Sequence, residues 1–209
     1  MAPGKKYPIR SIVFFLLWML LVLYPCPADL ATSIYRLFAI PTDPLAVEKI
    51  LSLLPNREDP ALVERFILQS FPYRFDWLNY NRPWYFPTAE EAMEKGAGDC
   101  KTRFIILAST LEALDIPYEF FFSPSHIWVY YEGKKESSME NRKAALVHKG
   151  GDKLYFRLPK INWQENMALI CEAYWFPMPP RKKIALLCGF IFSLYLYQAP
   201  GISPKPSLP

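Results

Sequence analysis

The sequence has few of the residues on which metal centres and disulfide frameworks depend. Its 209 residues include two histidines and four cysteines, and neither a CxxC nor an HExxH spacing occurs. Structural zinc sites need clustered cysteine and histidine ligands, and disulfide frameworks need more cysteines in a shorter chain. No calcium-binding loop is present either. We therefore expect no metal ion, no other cofactor and no disulfide framework.

The basic residues form no stripe that would bind nucleic acid. The net charge is +4, and the lysines and arginines are scattered or flank apolar runs. Nucleic-acid-binding domains concentrate positive charge on one face, so we expect no nucleic-acid partner. No internal repeat is present, and the 21 prolines cluster at the ends of segments. The length suits one compact domain with additional anchoring segments.

Both ends of the chain carry apolar runs typical of membrane helices. The run 11–28 has no charge and follows basic residues, and the run 184–197 also follows a basic cluster. A membrane helix needs about 20 mostly apolar residues. We predict a basic segment over 1–10, a transmembrane helix over 11–35, a Pro-rich and basic connection over 166–183, a second transmembrane or interfacial helix over 184–199, and a disordered tail over 200–209.

The cleavage and the orientation of the first helix stay open at this point. Residues 26–28 (Cys-Pro-Ala) are also compatible with the cleavage site of a signal peptide. The bulky residues before them favour an uncleaved anchor instead. Lys5, Lys6 and Arg10 place the N-terminus in the cytoplasm, and the first helix usually sets the topology. We therefore expect membrane lipid as a partner and an extracytoplasmic middle domain. The basic cluster 181–183 opposes this orientation.

The middle of the chain reads as helices followed by an antiparallel sheet. Apolar spacing predicts helices over 44–54 and 60–71, a capping box formed by Thr88 and Glu91, and a long helix from Cys100 to Leu114 with one buried face. Aromatic and β-branched runs then predict strands over 118–122, 126–131, 136–140, 144–148 and 154–158. This order is typical of an α+β domain, which we place at 44–165.

One cysteine and one histidine fall where thiol chemistry needs them. Cys100 opens the long helix after Gly98 and Asp99, and a helix N-terminus lowers a thiol pKa. His126 begins a strand and is a candidate base, and Glu140 lies at the end of the next predicted strand as a candidate to orient the imidazole. A buried, inert cysteine and a core histidine are the simpler interpretations of these residues.

The motifs around these residues resemble the transglutaminase-like superfamily. The resemblance covers Thr88 to Tyr131 directly and 45–160 loosely. Its elements are Pro87-Thr88-Ala89-Glu90-Glu91, Gly98-Asp99-Cys100-Lys101, Leu111-Glu112-Ala113-Leu114-Asp115-Ile116-Pro117 and Ser125-His126-Ile127-Trp128-Val129. The family has a glycine-acid-cysteine helix start, a "Leu-Gly-Ile-Pro" type turn and a "His-x-Trp-Val" strand, in the same order and spacing.

The resemblance implies a papain-like α+β fold flanked here by two membrane helices. It also implies thiol acyl transfer on protein or peptide amides, by a transamidase, deamidase or protease, with Cys100 as nucleophile and His126 as base. Family members normally have aspartate as the third residue, whereas this chain has Glu140, with Asn141 and Asp152 as alternatives. Oxyanion candidates are Trp84 and Asn81. The alternative function is a catalytically inactive binding or scaffold module at a membrane.

Three other residues have less specific patterns. Lys101 either aids thiolate formation or is an exposed helix lysine. Cys171 lies in an apolar stretch, which predicts a buried side chain, and His148 on a late hairpin is predicted to be exposed or structural. None of the three is needed for the chemistry that Cys100 and His126 suggest.

Overall fold

A computed structural model describes residues 8–135, 137, 140–150, 153–158 and 163–198 of the chain. These residues form two compact units, one from 8–29 with 178–198 and one from 30–177. In chain order the elements are α1 (Pro8–Leu23), α2 (Pro27–Phe38), α3 (Glu48–Leu53), α4 (Pro60–Ser70), α5 (Asp76–Asn79), α6 (Ala89–Lys95), α7 (Cys100–Ala113), β1 (Glu119–Phe122), β2 (Ile127–Tyr130), β3 (Val147–Gly150), β4 (Lys153–Phe156), α8 (Trp163–Ile170) and α9 (Pro180–Gln198).

The first unit is an antiparallel pair of apolar helices, α1 and α9. Ser11 on α1 donates a hydrogen bond to the backbone oxygen of Ser193 on α9, at 2.6 Å. At the other end the Trp18 indole donates to the backbone oxygen of Ala185, at 2.8 Å. A Cβ added at Gly189 would overlap the Trp18 ring, so this glycine lets the two helices approach closely.

The predicted transmembrane helix over 11–35 is divided into α1 and α2. Among the described residues, no single helix is both long and apolar enough to cross a membrane. The pair α1 and α2 meets that test only when taken together, and the two helices are bent by 79° at their junction. Pro25 lies in the break and Pro27 begins α2, and proline cannot donate the backbone hydrogen bond that a continuous helix needs.

The second unit has the helices-then-sheet order of an α+β domain, as predicted. The capping box at the start of α6 is confirmed, because Glu91 N–H donates to Thr88 Oγ1 and Thr88 N–H donates to the Glu91 carboxylate. Gly96 then ends α6 in the left-handed conformation with φ of 59°. The predicted helix over 44–54 is shorter than expected, because residues 44–47 form turns before α3 begins.

Helix α7 lies at the centre of the second unit and is buried on nearly all sides. The sequence suggested one buried face, but every residue from Lys101 to Leu111 except the half-buried Arg103 is buried. The reason is that α7 packs against α4, α6 and β2 at the same time. The shared core includes Val63, Ile67, Phe104, Ile106, Leu111, Phe120, Ile127 and Val129.

The four strands form one antiparallel sheet in the order β2-β1-β3-β4. Strand β2 is therefore at an edge, and its register pairs Trp128 with Phe121 and Ile127 with Phe122. Ser137 and Glu140, the described residues of the strand predicted over 136–140, lie instead in a loop. A backbone hydrogen bond from Glu140 N–H to Ser137 O, at 3.1 Å, closes a turn at that point.

Candidate active site

Cys100 is the first residue of α7, and the segment before it is held by backbone hydrogen bonds. Gly98 N–H donates to Pro72 O at 3.1 Å, and Gly98 O accepts from Arg74 N–H at 3.1 Å. Asp99 is the N-cap of α7, and its carboxylate accepts from Lys101 N–H at 2.9 Å. These bonds fix the start of the helix and therefore the position of the thiol.

Gly98 leaves room for the first turn of α7. A Cβ at this position would overlap the side chain of Thr102, one turn further along α7. The glycine therefore provides room for the helix itself. Asn79 completes this support, because its Nδ2 donates to the backbone oxygen of Ala97 at 2.7 Å.

His126 is held at the start of β2 by its backbone and by ring stacking. Its N–H donates to Ser123 Oγ at 3.0 Å, and its carbonyl accepts from Ser123 N–H at 2.8 Å. The imidazole stacks on the Trp128 ring with 5.7 Å between centroids and 13° between planes. Trp128 stacks in turn on Phe121 at 5.6 Å. The orientation of the imidazole is therefore supported by contacts with buried aromatic rings on the face of the sheet that carries Trp128 and Phe121.

The structure brings Cys100 and His126 together. Both residues line two neighbouring cavities, one small and one of about 230 Å³. The backbone N–H of Ile127, the residue after His126, lies near the Cys100 sulfur and lowers the pKa of the thiol. The small cavity, which we call the entry cavity, is also lined by Tyr73, Asp76, Trp84, Asp99, Lys101, Ser125, Ala173 and Tyr174.

The thiol is neutral at physiological pH. Burial and the Asp99 carboxylate raise the pKa of Cys100 to about 12, against the opposing effects of Lys101 and of the Ile127 backbone N–H. The expectation of a lowered pKa at the helix N-terminus is therefore wrong here, because desolvation and a neighbouring negative charge outweigh the helix dipole. Burial also lowers the pKa of His126, which keeps its imidazole neutral and able to accept a proton.

Lys101 is a buried charge, and the expectation of an exposed helix lysine is wrong. Its relative exposure is 5%, and its Nζ lies 2.9 Å from Asp76 Oδ2 and also pairs with Asp99. These carboxylates raise the pKa of Lys101 and keep it charged despite its burial. Asp76 Oδ2 accepts in addition from Tyr85 N–H at 2.7 Å, while its Oδ1 is buried without a hydrogen-bond partner among the described residues.

Glu140 lies in the larger cavity with Cys100 and His126, but its hydrogen bonds go elsewhere. Its Oε1 is 2.9 Å from Lys134 Nζ, and its Oε2 accepts from Ser137 N–H at 3.4 Å. Lys134 also binds Glu64 at 2.7 Å, so one buried lysine joins two carboxylates. The charge on Glu140 still raises the pKa of His126, in opposition to burial. The carboxylate is thus close enough to act on the imidazole electrostatically.

The alternatives to Glu140 and the two oxyanion candidates do not all line the cavities that Cys100 and His126 share. Asn141 caps a 3-10 turn by accepting from Lys143 N–H at 2.9 Å and lines a separate surface cavity. Asp152 lies outside the described residues. Trp84 lines the entry cavity with Cys100. Asn81 adopts a left-handed conformation with φ of 54° and is not among the described residues that line either cavity.

Sequence reasoning missed several residues of the site. Asp76 and Tyr174 line the entry cavity, and Lys134 and Glu64 hold Glu140. No local motif marks them, since they come from a short helix, a π-helical turn, a loop and the surface of α4. Tyr174 is fixed by its backbone oxygen, which accepts from the Trp77 indole at 2.7 Å.

Cys171 and His148 line neither of the two cavities that Cys100 and His126 share. Cys171 is exposed, so the prediction of a buried side chain is wrong. His148 stacks between Phe121 and Tyr155 and lies 3.0 Å from Glu119 Oε2, in agreement with a structural role. Within the described part of the chain, no group of histidine, cysteine and acidic side chains is arranged to hold a metal ion.

Comparison of the chain with protein-family models, curated proteins and solved structures finds no match.

Proposed function

We propose that residues 44–165 form a transglutaminase-like, papain-like thiol enzyme that acts on protein or peptide amides through an acyl-enzyme. Cys100 is the nucleophile, His126 the base, and Glu140 the residue that supports the imidazole. The observation that carries the proposal is the placement of Cys100 and His126 on the same two cavities. Nucleophile, base and supporting acid are then contributed by a helix start, a strand start and a loop.

The pKa directions define how the first step proceeds. Both Cys100 and His126 are neutral near pH 7, so the proton moves from sulfur to imidazole as the sulfur attacks the carbonyl carbon. The carbonyl π-bond becomes an oxyanion, and in this proposal the Cys100 amide and the Trp84 indole stabilise it. Collapse of this intermediate breaks the C–N bond, and the imidazolium gives its proton to the leaving amine. A thioester on Cys100 remains, and water or an amine then displaces the thiol.

We place this domain at a membrane, where the antiparallel helix pair α1 and α9 anchors it. Large side chains on both helices are exposed, among them Ile12, Leu16, Leu17, Ile184, Phe190 and Ile191. Their burial in lipid is favourable at roughly 25 cal/mol per Å² of apolar surface. We keep the extracytoplasmic orientation as part of the proposal. Retention of the full chain in membranes after alkaline carbonate extraction supports anchoring, and release into the supernatant contradicts it.

Trapping the acyl-enzyme tests the chemistry directly. The full chain in detergent is mixed with p-nitrophenyl acetate, quenched in acid and mapped by mass spectrometry. We expect acetyl on Cys100 that disappears with time and with hydroxylamine, that is lost in Cys100→Ala, and that forms at least tenfold more slowly in His126→Ala. Acetylation of Cys100 at the same rate in both wild type and His126→Ala contradicts the proposal.

Two observations favour the alternative function, an inactive binding or scaffold module. The Glu140 carboxylate is bound by Lys134, and the pKa of the thiol is high. In that case the same cavities bind a peptide without reacting with it. The alternative predicts no acetyl-Cys100 under any condition, together with unchanged cellular function of Cys100→Ala.

A further inference from the structure

Both connecting segments leave the helix pair α1 and α9 at the same end. Lys182 Nζ, in the first turn of α9, donates to the backbone oxygen of Leu23, the last residue of α1, at 3.4 Å. Three residues separate Leu23 from α2, and three separate Phe176 from Pro180, where α9 begins. Because the proposed function places this helix pair in lipid, both connecting segments emerge at the same membrane surface.

One face of α2 is fixed to the core of the second unit. Ser33 Oγ accepts from Phe86 N–H at 3.2 Å. The Arg36 guanidinium donates to Phe86 O at 3.0 Å and pairs with Glu91 at 2.9 Å, and Leu37 is buried in the core. A helix that continued α1 across a membrane would carry these polar side chains away from their partners, which is costly in lipid. Helix α2 therefore belongs to the folded domain.

The other face of α2 is apolar and exposed. Ile34, Tyr35 and Phe38 are exposed, Tyr35 by 70%, and their spacing places them on one side of the helix. Phe38 also contacts Phe156 of β4, which is exposed too, with 6.3 Å between the ring centroids. A helix on the surface of a soluble domain normally presents polar side chains on its outer face. This face of α2 therefore suits an apolar environment.

The connecting segment that enters α9 has the same character. Trp175 and Phe176 are exposed, Phe176 by 70%, and the basic residues 181–183 follow in the first turn of α9. Tryptophan and tyrosine are enriched where a bilayer meets water, and basic residues beside a membrane helix attract anionic headgroups. The residue types at this point are therefore those of a membrane interface.

The two apolar segments are fixed to neighbouring parts of the second unit. The Arg36 guanidinium donates to the Tyr85 hydroxyl at 3.2 Å, and the backbone oxygen of Tyr174 accepts from the Trp77 indole at 2.7 Å. Tyr85 and Trp77 are linked in turn through Asp76, whose carboxylate accepts from Tyr85 N–H at 2.7 Å. Residues 76–86 thus hold both α2 and the segment that ends at Phe176.

We infer that Ile34, Tyr35, Phe38, Trp175 and Phe176 form a lipid-facing surface of the domain, which we call the interfacial surface. It lies in the headgroup region of the bilayer, with α2 in the plane of the membrane as an amphipathic surface helix. The inference rests on the membrane anchoring in the proposed function. Lipid is the occupant because three connecting residues span at most about 11 Å, and the headgroup region of one leaflet is about 5–8 Å thick. Chain continuity therefore keeps both segments beside the bilayer.

Photoreactive lipids test this inference in the full-length chain. The protein is reconstituted into liposomes of phosphatidylcholine and phosphatidylglycerol that contain a phospholipid with a diazirine on its headgroup, and labelled residues are mapped by mass spectrometry after irradiation. We expect labelling of 34–38 and 175–176 at least fivefold above that of Leu53 and Leu68, two exposed apolar residues of the same unit. Tyr35→Asp should lower the labelling of α2 at least threefold, whereas the matched variant Leu53→Asp should leave it unchanged.

A second phospholipid, with the diazirine at the end of its acyl chain, reports on the helix pair and should label α1 and α9. Label in α1 and α9, with the interfacial surface labelled no more than Leu53 and Leu68, overturns this inference and leaves the anchoring intact. No label in α1 and α9 overturns both. Cross-links between two copies of α2 in place of lipid label would show that a second copy covers the surface, and would also overturn the inference. Acetylation of Cys100 in the same liposomes reports on the proposed chemistry separately.

Discussion

Lys134 Nζ lies 2.9 Å from Glu140 Oε1, so the carboxylate proposed to support His126 is bound to a buried lysine. The same Nζ binds Glu64 at 2.7 Å and the backbone oxygen of Val129 at 2.8 Å. The lysine therefore joins α4, β2 and the loop that carries Glu140. It positions the acid and also acts on the base, because its charge lowers the pKa of His126.

Replacement of Lys134 by methionine tests this arrangement. The variant removes a positive charge near His126 and leaves Glu140 as a negative one, so the pKa of His126 should rise. It also leaves two partly buried carboxylates without their counter-ion, at a cost of about 3 kcal/mol in the free energy of unfolding. NMR titration of the imidazole measures the first effect. Lys135→Met, at an exposed neighbouring position, is the control and should leave the His126 pKa unchanged.

Asp76 predicts a specific dependence of stability on pH. Burial, with the nearby Asp99 carboxylate, raises the pKa of Asp76 from 3.8 to about 7 in the folded protein. Between about pH 4 and pH 7 the unfolded chain has lost this proton and the folded chain retains it, so stability falls as pH rises through this window. Below and above the window both states have the same protonation, and Asp76 then adds no slope.

Asp76→Asn removes this titration while keeping an oxygen acceptor for Tyr85 N–H. The melting temperature of the variant should therefore change less between pH 4 and pH 7 than that of the wild type. Asp115→Asn, an exposed substitution at a left-handed position that asparagine tolerates, is the matched control. An Asp76→Asn curve parallel to that of the wild type contradicts the account of this cluster.

Gly98→Ala tests how the start of α7 is built. The added Cβ overlaps the Thr102 side chain, so the segment before Cys100 has to shift, at a cost of about 2 kcal/mol. Gly96→Ala meets no atom within 4 Å, and its cost of about 1 kcal/mol comes from the positive φ alone. Both variants lose stability, but only Gly98→Ala should also slow acetylation of Cys100. Equal acetylation rates would show that Gly98 does not position the thiol.

The sequence predicted the parts of the fold that local patterns determine. Thr88 and Glu91 form the capping box because its two hydrogen bonds depend on residues three apart. The helix that begins at Cys100 and the strand after His126 were predicted by periodicity, close to their observed bounds. Their meeting at one cavity was suggested by the family resemblance, since periodicity alone does not place two elements side by side.

The electrostatics of the site could not be predicted in the same way. The helix N-terminus suggested a low thiol pKa, whereas burial of the thiol and, after it, the Asp99 carboxylate raise the pKa. Lys101 looked like an exposed helix residue because its partner Asp76 is 25 positions away in the sequence. Lys134 and Glu64 likewise come together only through the packing of a loop on α4. Charges that act through space depend on tertiary structure, which a local pattern does not contain.

The most direct test of the central claim is the rate of alkylation of Cys100 by iodoacetamide at pH 7 in three full-length proteins. These are the wild type, His126→Ala and His148→Ala, the last of which removes the other histidine of the chain. Exposed Cys171 is the internal reference in each. The account predicts that His126→Ala slows Cys100 at least tenfold relative to Cys171, while His148→Ala has little effect. Equal Cys100 rates in the wild type and in His126→Ala would contradict it.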